Sequence, residues 1–182
     1  VVDPRYTESI RSLDAQWIPI RPATDTAMIL GMIQHIIANN LHDQAYLDKY
    51  CVGFDRAHMP KAQQKPWIFQ PRDRKQFLYT AKEIDPDDNF LDYVMGQGKW
   101  AAEGAKTPEW AEKICGVPAE TIKELAVAYA TTKPASIFAG GAPARINDGE
   151  CFPHALCVLG MVCGGDTEII AAGQAADLEK LL

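Results

Sequence analysis

The chain has 182 residues, 47% hydrophobic and 23% charged, a balance that supports a folded core and excludes a disordered segment. The net charge of −6, with no basic cluster, excludes nucleic acid as the principal partner. No apolar run approaches the roughly eighteen residues of a membrane span, and no basic-then-apolar leader marks a targeting segment.

The chain opens on Val1-Val2, which reads as the end of a strand begun upstream, so a piece of a longer protein is expected. Asp3-Pro4-Arg5 turns away from it. Tyr6 to Leu13 reads as a loop or one helical turn. Trp17-Ile18-Pro19-Ile20 is a short strand, placed at an edge or cut short by its proline. Arg21-Pro22-Ala23-Thr24-Asp25 then leads into an apolar helix running to Asn39-Asn40, with Thr24 or Asp25 as N-cap. Apolar on most sides, that helix is expected to be buried on most sides. A second helix starts at Asp43 and stops before Gly53.

Between Asp55 and Asp88 the periodicity fails. Pro60, Pro66, Pro71 and Pro86 interrupt a polar stretch, read as a long surface excursion with a possible hairpin around Trp67-Ile68-Phe69 and Leu78-Tyr79. Phe90 to Met95 adds a helical turn. Thr107-Pro108-Glu109 combines a cap, a first-turn proline and a first-turn acid, and opens a helix that Gly116 closes. Pro118 begins the next helix, to Thr131-Thr132. Ala135 to Ala139 is a strand ended by Gly140-Gly141, and a charged loop carries Arg145. A helix from Phe152 to Cys163 follows. The tail from Asp166 to Leu182 is Ala-rich and expected to be helical near its end.

Strand, helix, helix, strand, helix is the order of an α/β fold, here a Rossmann-like three-layer parallel sheet with helices on both faces. Three strand ends deliver polar loops to one edge, where open α/β sheets hold ligands. Arg21 offers a planar fork suited to phosphate. Thr24 and Asp25 stand where a helix start attracts anions, and the Asp25 carboxylate matches the paired N–H donors of guanine. Asp3 is placed to hold ribose hydroxyls. Gly140 and Gly141 admit a ligand close to the backbone. The same residues also read structurally: Asp25 as a plain N-cap, Arg5 and Arg21 as surface ion-pair partners, Asp3-Pro4 as an ordinary turn. The residues alone leave the two readings open.

Nucleotide, hydrolase and zinc fingerprints are absent: no G-x-G-x-x-G, no G-x-x-x-x-G-K-[ST], no G-x-S-x-G and no H-E-x-x-H. The four histidines read as structural. Cys51, Cys115, Cys151, Cys157 and Cys163 have no metal-ligand spacing and read as free thiols in a core. No catalytic and no metal-binding residue is therefore assigned.

Four separated motifs carry a resemblance. VVDPRYT (Val1–Thr7), WIPIRPATD (Trp17–Asp25), LDKYCVGFD (Leu47–Asp55) and AKTPEWAEKICGVPAETI (Ala105–Ile122) resemble the dimethyl sulfoxide reductase family of molybdopterin oxidoreductases, in particular the catalytic subunits of anaerobic dimethyl sulfoxide reductases. The likeness runs in order from Val1 to about Ala155. It implies that residues 1–165 are the α/β domain holding the guanine end of one of two molybdopterin guanine dinucleotides (a bis cofactor), with residues 166–182 a poorly matching tail. It places Asp3 and Arg5 in the nucleotide pocket, Arg21, Pro22, Thr24 and Asp25 against phosphates and guanine, and Gly140, Gly141 and Arg145 as a wall. Iron–sulfur ligands, the ligand to molybdenum and a later cofactor-binding domain belong to other parts of such a protein, so this chain alone is expected to be inactive. Implied partners are those other domains, an electron-transfer iron–sulfur subunit and a membrane anchor, in a periplasmic or membrane-associated complex.

The family usually has Gly at Ala23, where a methyl narrows the approach to the backbone unless φ is negative. The family's T-G-N-x-G run is replaced by Cys163-Gly164-Gly165-Asp166. The competing readings are a non-catalytic interaction domain using the 55–88 excursion, and a redox module built on Cys151, Cys157 and Cys163.

Overall fold

A computed structural model describes residues 1–59, 85–165 and the strand 167–171. The expected hairpin around Trp67 to Tyr79 lies outside the described residues. The architecture is a helical assembly around one long helix, with a small amount of parallel strand. Helix α1 spans Glu8–Ser12, α2 Asp25–Ala38, α3 Gln44–Tyr50, α4 Phe90–Met95, α5 Pro108–Cys115, α6 Ala119–Thr131 and α7 Cys151–Val162; strand β1 is Ala135–Ala139 and β2 Thr167–Ala171. Tyr6 to Leu13 thus holds a short helix, buried through Ile10.

The apolar α2 is the centre of the molecule. Met28, Ile29, Met32, Ile33, Ile36 and Ile37 are all buried in the main core, with α5, α6 and α7 packed around them. Gly31 sets the closest approach. A Cβ there would lie 2.9 Å from Ala111 Cβ and 3.4 Å from Pro108 Cα, so only hydrogen lets α2 and α5 come this near. Helix ends follow the sequence signals. Asp43 caps α3 by accepting from Tyr46 N–H at 2.9 Å. Thr107 caps α5 by accepting from Trp110 N–H at 3.2 Å, with Pro108 in the first turn. Gly116 ends α5 with φ 76°. Pro118 is the N-cap of α6, one residue outside the helix proper.

Strand structure is sparser than the expected three-layer sheet. β1 and β2 pair in parallel, Ala135 opposite Thr167 through Ala139 opposite Ala171. Residues 167–171 form a strand, and the helix expected near the end of the tail lies outside the described residues. Val2 and Ile18 form a single parallel bridge, closed by Ile18 N–H to Val1 O at 2.9 Å and Asp3 N–H to Ile18 O at 3.2 Å. Beyond the bridge Asp3 O accepts from Trp17 Nε1 and Arg5 N–H donates to Asp3 Oδ1, so the pairing of Trp17 to Ile20 goes no further. Among the described residues these two pairs do not join into one sheet.

The polar excursion is held at its ends. Arg56 meets Asp87 at 2.7 Å, and Lys99 reaches Asp85 and Asp88 at 3.3 and 3.0 Å. No described helix is long and apolar enough to cross a membrane. No disulfide forms. Cys115 and Cys163 are buried and Cys51 is half-buried, whereas Cys151 and Cys157 are exposed, contrary to the all-core expectation. The exposed pair falls on the outer side of α7, where Leu156, Leu159 and Val162 occupy the inner one. Burial pushes the Cys163 thiol up to about 11.

Candidate functional site

The polar turn from Arg21 to Asp25 is built from three local devices. Arg21 N–H donates to Cys115 O at 2.9 Å, and its Nη1 donates to the carbonyls of Lys113 and Ile114 at 2.9 and 3.0 Å. The guanidinium therefore caps the carboxyl end of α5, where orphan carbonyls and the negative end of the dipole favour a cation. Among the described residues it makes no salt bridge with an acid. Ala23 is left-handed at φ 66°, a conformation that a Cβ disfavours. Thr24 is the N-cap by position, but its Oγ1 donates back to Arg21 O at 2.7 Å instead of accepting from the helix.

Asp25 is the first residue of α2 and does not serve as the cap. It is half-buried, and burial pushes its carboxyl above the usual carboxylate range, with its own amide offsetting part of the effect. A desolvated carboxylate at a helix start gains from any ligand that offers it N–H donors.

Asp25 and Gly140 border one cavity of about 580 Å³, together with Val1 and Val2. Its floor is apolar, from Met28, Ile29 and Met32 of α2 and from residues of α6 and α7. Cβ atoms built on Gly140 or Gly141 would meet nothing within 4 Å, so the backbone after β1 is open to close approach. The structure thus brings together the carboxylate and one of the two glycines.

The other candidate residues are not in the lining of this cavity. Asp3 accepts from Arg5 N–H at 2.7 Å, forming an Asx turn, and its carbonyl accepts from Trp17 Nε1 at 2.9 Å. Tyr6 meets the same indole edge-on with ring centroids 5.4 Å apart, so the first loop is stitched to the second strand end. Pro22 is exposed beside Arg21. Arg5 and Arg145 are exposed and form no ion pair among the described residues. Arg145 follows the 3-10 turn Ala142–Ala144.

One cluster escaped the sequence reading. His58 Nδ1 lies 2.7 Å from Asp55 Oδ1 and its Nε2 lies 3.7 Å from Asp48 Oδ1. The same Asp55 oxygen accepts from His58 N–H at 2.9 Å, the cap of the 3-10 turn Arg56–His58. The i to i+3 spacing of Asp55 and His58 was the available signal. Asp48 sits on the preceding helix and gave none. The local role is a capped turn.

No protein-family model matches the chain. Known proteins do. Dimethyl sulfoxide reductase DmsA of Escherichia coli is 38% identical over 164 residues, 90% of this chain and 17% of that protein. DmsA of Haemophilus influenzae is 37% identical over the same length, 18% of its own. The solved structure of acetylene hydratase from Pelobacter acetylenicus overlays with a TM-score of 0.58 at 25% identity, covering 90% of this chain and 17% of that one. The chain spans less than a fifth of the length of these relatives. Over the residues it does contain, the chain belongs to the dimethyl sulfoxide reductase family.

Proposed function

We propose that residues 1–165 are the nucleotide-holding α/β domain of a molybdenum oxidoreductase that reduces an S-oxide, an N-oxide or a similar oxo-compound. The observation that carries this reading is the kinship with reductases so named, across 90% of the chain. The proposed ligand is the guanine end of a molybdopterin guanine dinucleotide, one of two in the whole protein. The proposed frame is a Rossmann-like parallel sheet to which Val1-Val2, Trp17 to Ile20, β1 and β2 contribute.

The donor set fits such a ligand. Asp25 supplies a partly desolvated acceptor for the guanine N1–H and N2–H donors. The start of α2 supplies amide donors for phosphate, and Arg21 holds the turn that positions them while keeping its remaining N–H groups for the same anion. Gly140 and Gly141 admit the ligand to the backbone. Asp3 would hold ribose hydroxyls, and Arg5, Pro22, Thr24 and Arg145 would form the rim. When bound, the metal centre supplies the oxygen-atom and two-electron chemistry, while this chain binds and orients the remote end of the cofactor. The remaining domains, an iron–sulfur electron-transfer subunit and a membrane anchor are the proposed partners, in a membrane-associated and periplasmic complex. Iron–sulfur ligands are assigned to those other parts, and Cys151, Cys157 and Cys163 to none.

The test is calorimetric titration with guanosine and inosine diphosphates, which differ by the N2 amine. The wild-type chain should prefer the guanosine form, and Asp25→Asn should abolish the preference. Equal binding of both nucleotides by the wild type would overturn the assignment of Asp25.

A further inference from the structure

His58 has a carboxylate on each side of its ring. Nδ1 lies 2.7 Å from Asp55 Oδ1, and Nε2 lies 3.7 Å from Asp48 Oδ1. An ionised carboxylate only accepts, so Nδ1 carries the proton, and when the ring is neutral the Nε2 lone pair faces Asp48. At 3.7 Å that approach is too long for a hydrogen bond. Two acceptors thus face each other across a gap of the width that a cation bridges, since ligands held at about 2.0–2.2 Å by one tetrahedral ion stand about 3.4 Å apart. The ligand atoms of Asp48, Asp55 and His58 all lie within 4.8 Å of one another.

Both facing groups have outer partners. Asp55 orients the His58 ring through Nδ1, the arrangement by which a carboxylate fixes a metal-ligating histidine. Gln44 Nε2 donates to Asp48 Oδ1 at 2.6 Å, and Gln44 Oε1 lies 3.1 Å from His42 Nε2. The backbones beneath are held as well. Leu47, next to Asp48 in α3, is fully buried. The turn carrying His58 is closed by Gly53 N–H to His58 O at 3.0 Å. It is tied to the start of α4 by Phe90 N–H to Gly53 O at 3.1 Å and Leu91 N–H to Phe54 O at 2.7 Å. The side chains of His58 and Asp48 stay 31% and 48% exposed, so an ion can enter and water can complete its shell.

We infer that His58 Nε2 and Asp48 bind a divalent transition ion of the zinc type, with Asp55 as the orienting partner and water in the remaining positions. An imidazole nitrogen beside a carboxylate suits zinc and its neighbours, whereas calcium and magnesium take oxygen ligands. The ion ties α3 to the turn that opens the 55–88 stretch. The site shares no residue with the proposed nucleotide pocket, so the inference does not depend on that reading.

Zinc titration tests it, read by calorimetry in a Cys151→Ser, Cys157→Ser background that removes the exposed thiols. That chain should take up zinc saturably, with a rise in Tm, and millimolar calcium or magnesium should not displace the ion. Asp48→Asn, at an exposed position of α3, and His58→Gln should each abolish the uptake. Asp55→Asn, which keeps a capping side chain for the turn, should weaken it by roughly ten- to a hundredfold. His154→Gln, exposed on α7, should leave it unchanged. Nitrogen NMR of the imidazole should show zinc shifting His58 Nε2 while Nδ1 keeps its proton. Thermal unfolding in chelator establishes that each variant is folded. Absence of saturable uptake overturns the inference. So does uptake that survives Asp48→Asn or His58→Gln undiminished, or that leaves the His58 Nε2 resonance in place.

Discussion

Arg21 lies across Gly116 at the end of α5. A Cβ built on Gly116 would stand 3.3 Å from Arg21 Nε and 3.5 Å from Cζ, and the glycine itself is left-handed at φ 76°. Gly116→Ala therefore meets two costs: the left-handed conformation, about 1–2 kcal/mol, and displacement of the guanidinium from the Lys113 and Ile114 carbonyls. A lowered midpoint in urea is the expected result. The cost should shrink in an Arg21→Ala background, because the second term is then already absent. Additive single and double variants would show that the Arg21 cap is not coupled to the glycine.

Ala23 carries the opposite imbalance. At φ 66° its methyl opposes the backbone. The net of relieved strain and added unfolded-state entropy predicts that Ala23→Gly stabilises the chain by about 0.5–1 kcal/mol. Thermal unfolding of the two forms side by side checks it. A lower Tm for the glycine form would place the native Ala23 outside the left-handed region.

Local punctuation was legible in the sequence where one short stretch holds both partners. Asp43 with Tyr46, Thr107 with Trp110, and Pro108 inside the first turn of α5 are all of that kind. So was the burial of α2, since its apolar residues cover most of its circumference. Partnerships across the chain were not legible. Arg21 finds its acceptors 92 and 93 residues away, and nothing in Arg-Pro-Ala-Thr-Asp announces them. Thr24 bonding back to Arg21 leaves Asp25 free of the capping role that its position suggested. Sheet formation failed to be legible for a related reason: Trp17 to Ile20 has strand character, but pairing depends on what occupies the neighbouring edge.

The thiols should separate into classes. Cys151 and Cys157 are exposed and border a second groove with Phe90, Tyr93 and His154. Cys115 and Cys163 are buried, with burial raising both thiols. Brief alkylation of the native chain at pH 8 should label Cys151 and Cys157, and Cys115 and Cys163 only after denaturation. Peptide mass spectrometry assigns the sites. Rapid native labelling of Cys163 would contradict its placement at the end of α7.

Acid should loosen the α5–α6 pair. Lys123 lies 2.8 Å from Glu109 and 2.7 Å from Glu120, joining the first turns of the two helices. The Lys123 hydrogen bond, followed by the Glu109 amide and Thr107, lowers the Glu109 carboxyl from the ordinary 4.5 to about 2. A carboxyl depressed in the folded state binds its proton more readily when unfolded. Its contribution is therefore complete above pH 4.5 and is lost as pH falls toward about 2. Because Glu109 is largely exposed, solvent screening limits that contribution to a few tenths of a kcal/mol. Glu109→Gln should flatten the fall of Tm between pH 5 and pH 2 by a small but measurable amount, and about 1 M salt should shrink the difference further. Superimposable Tm profiles for Glu109→Gln and wild type across that range would mean that the bridge to Lys123 contributes nothing to the docking of α6 on α5.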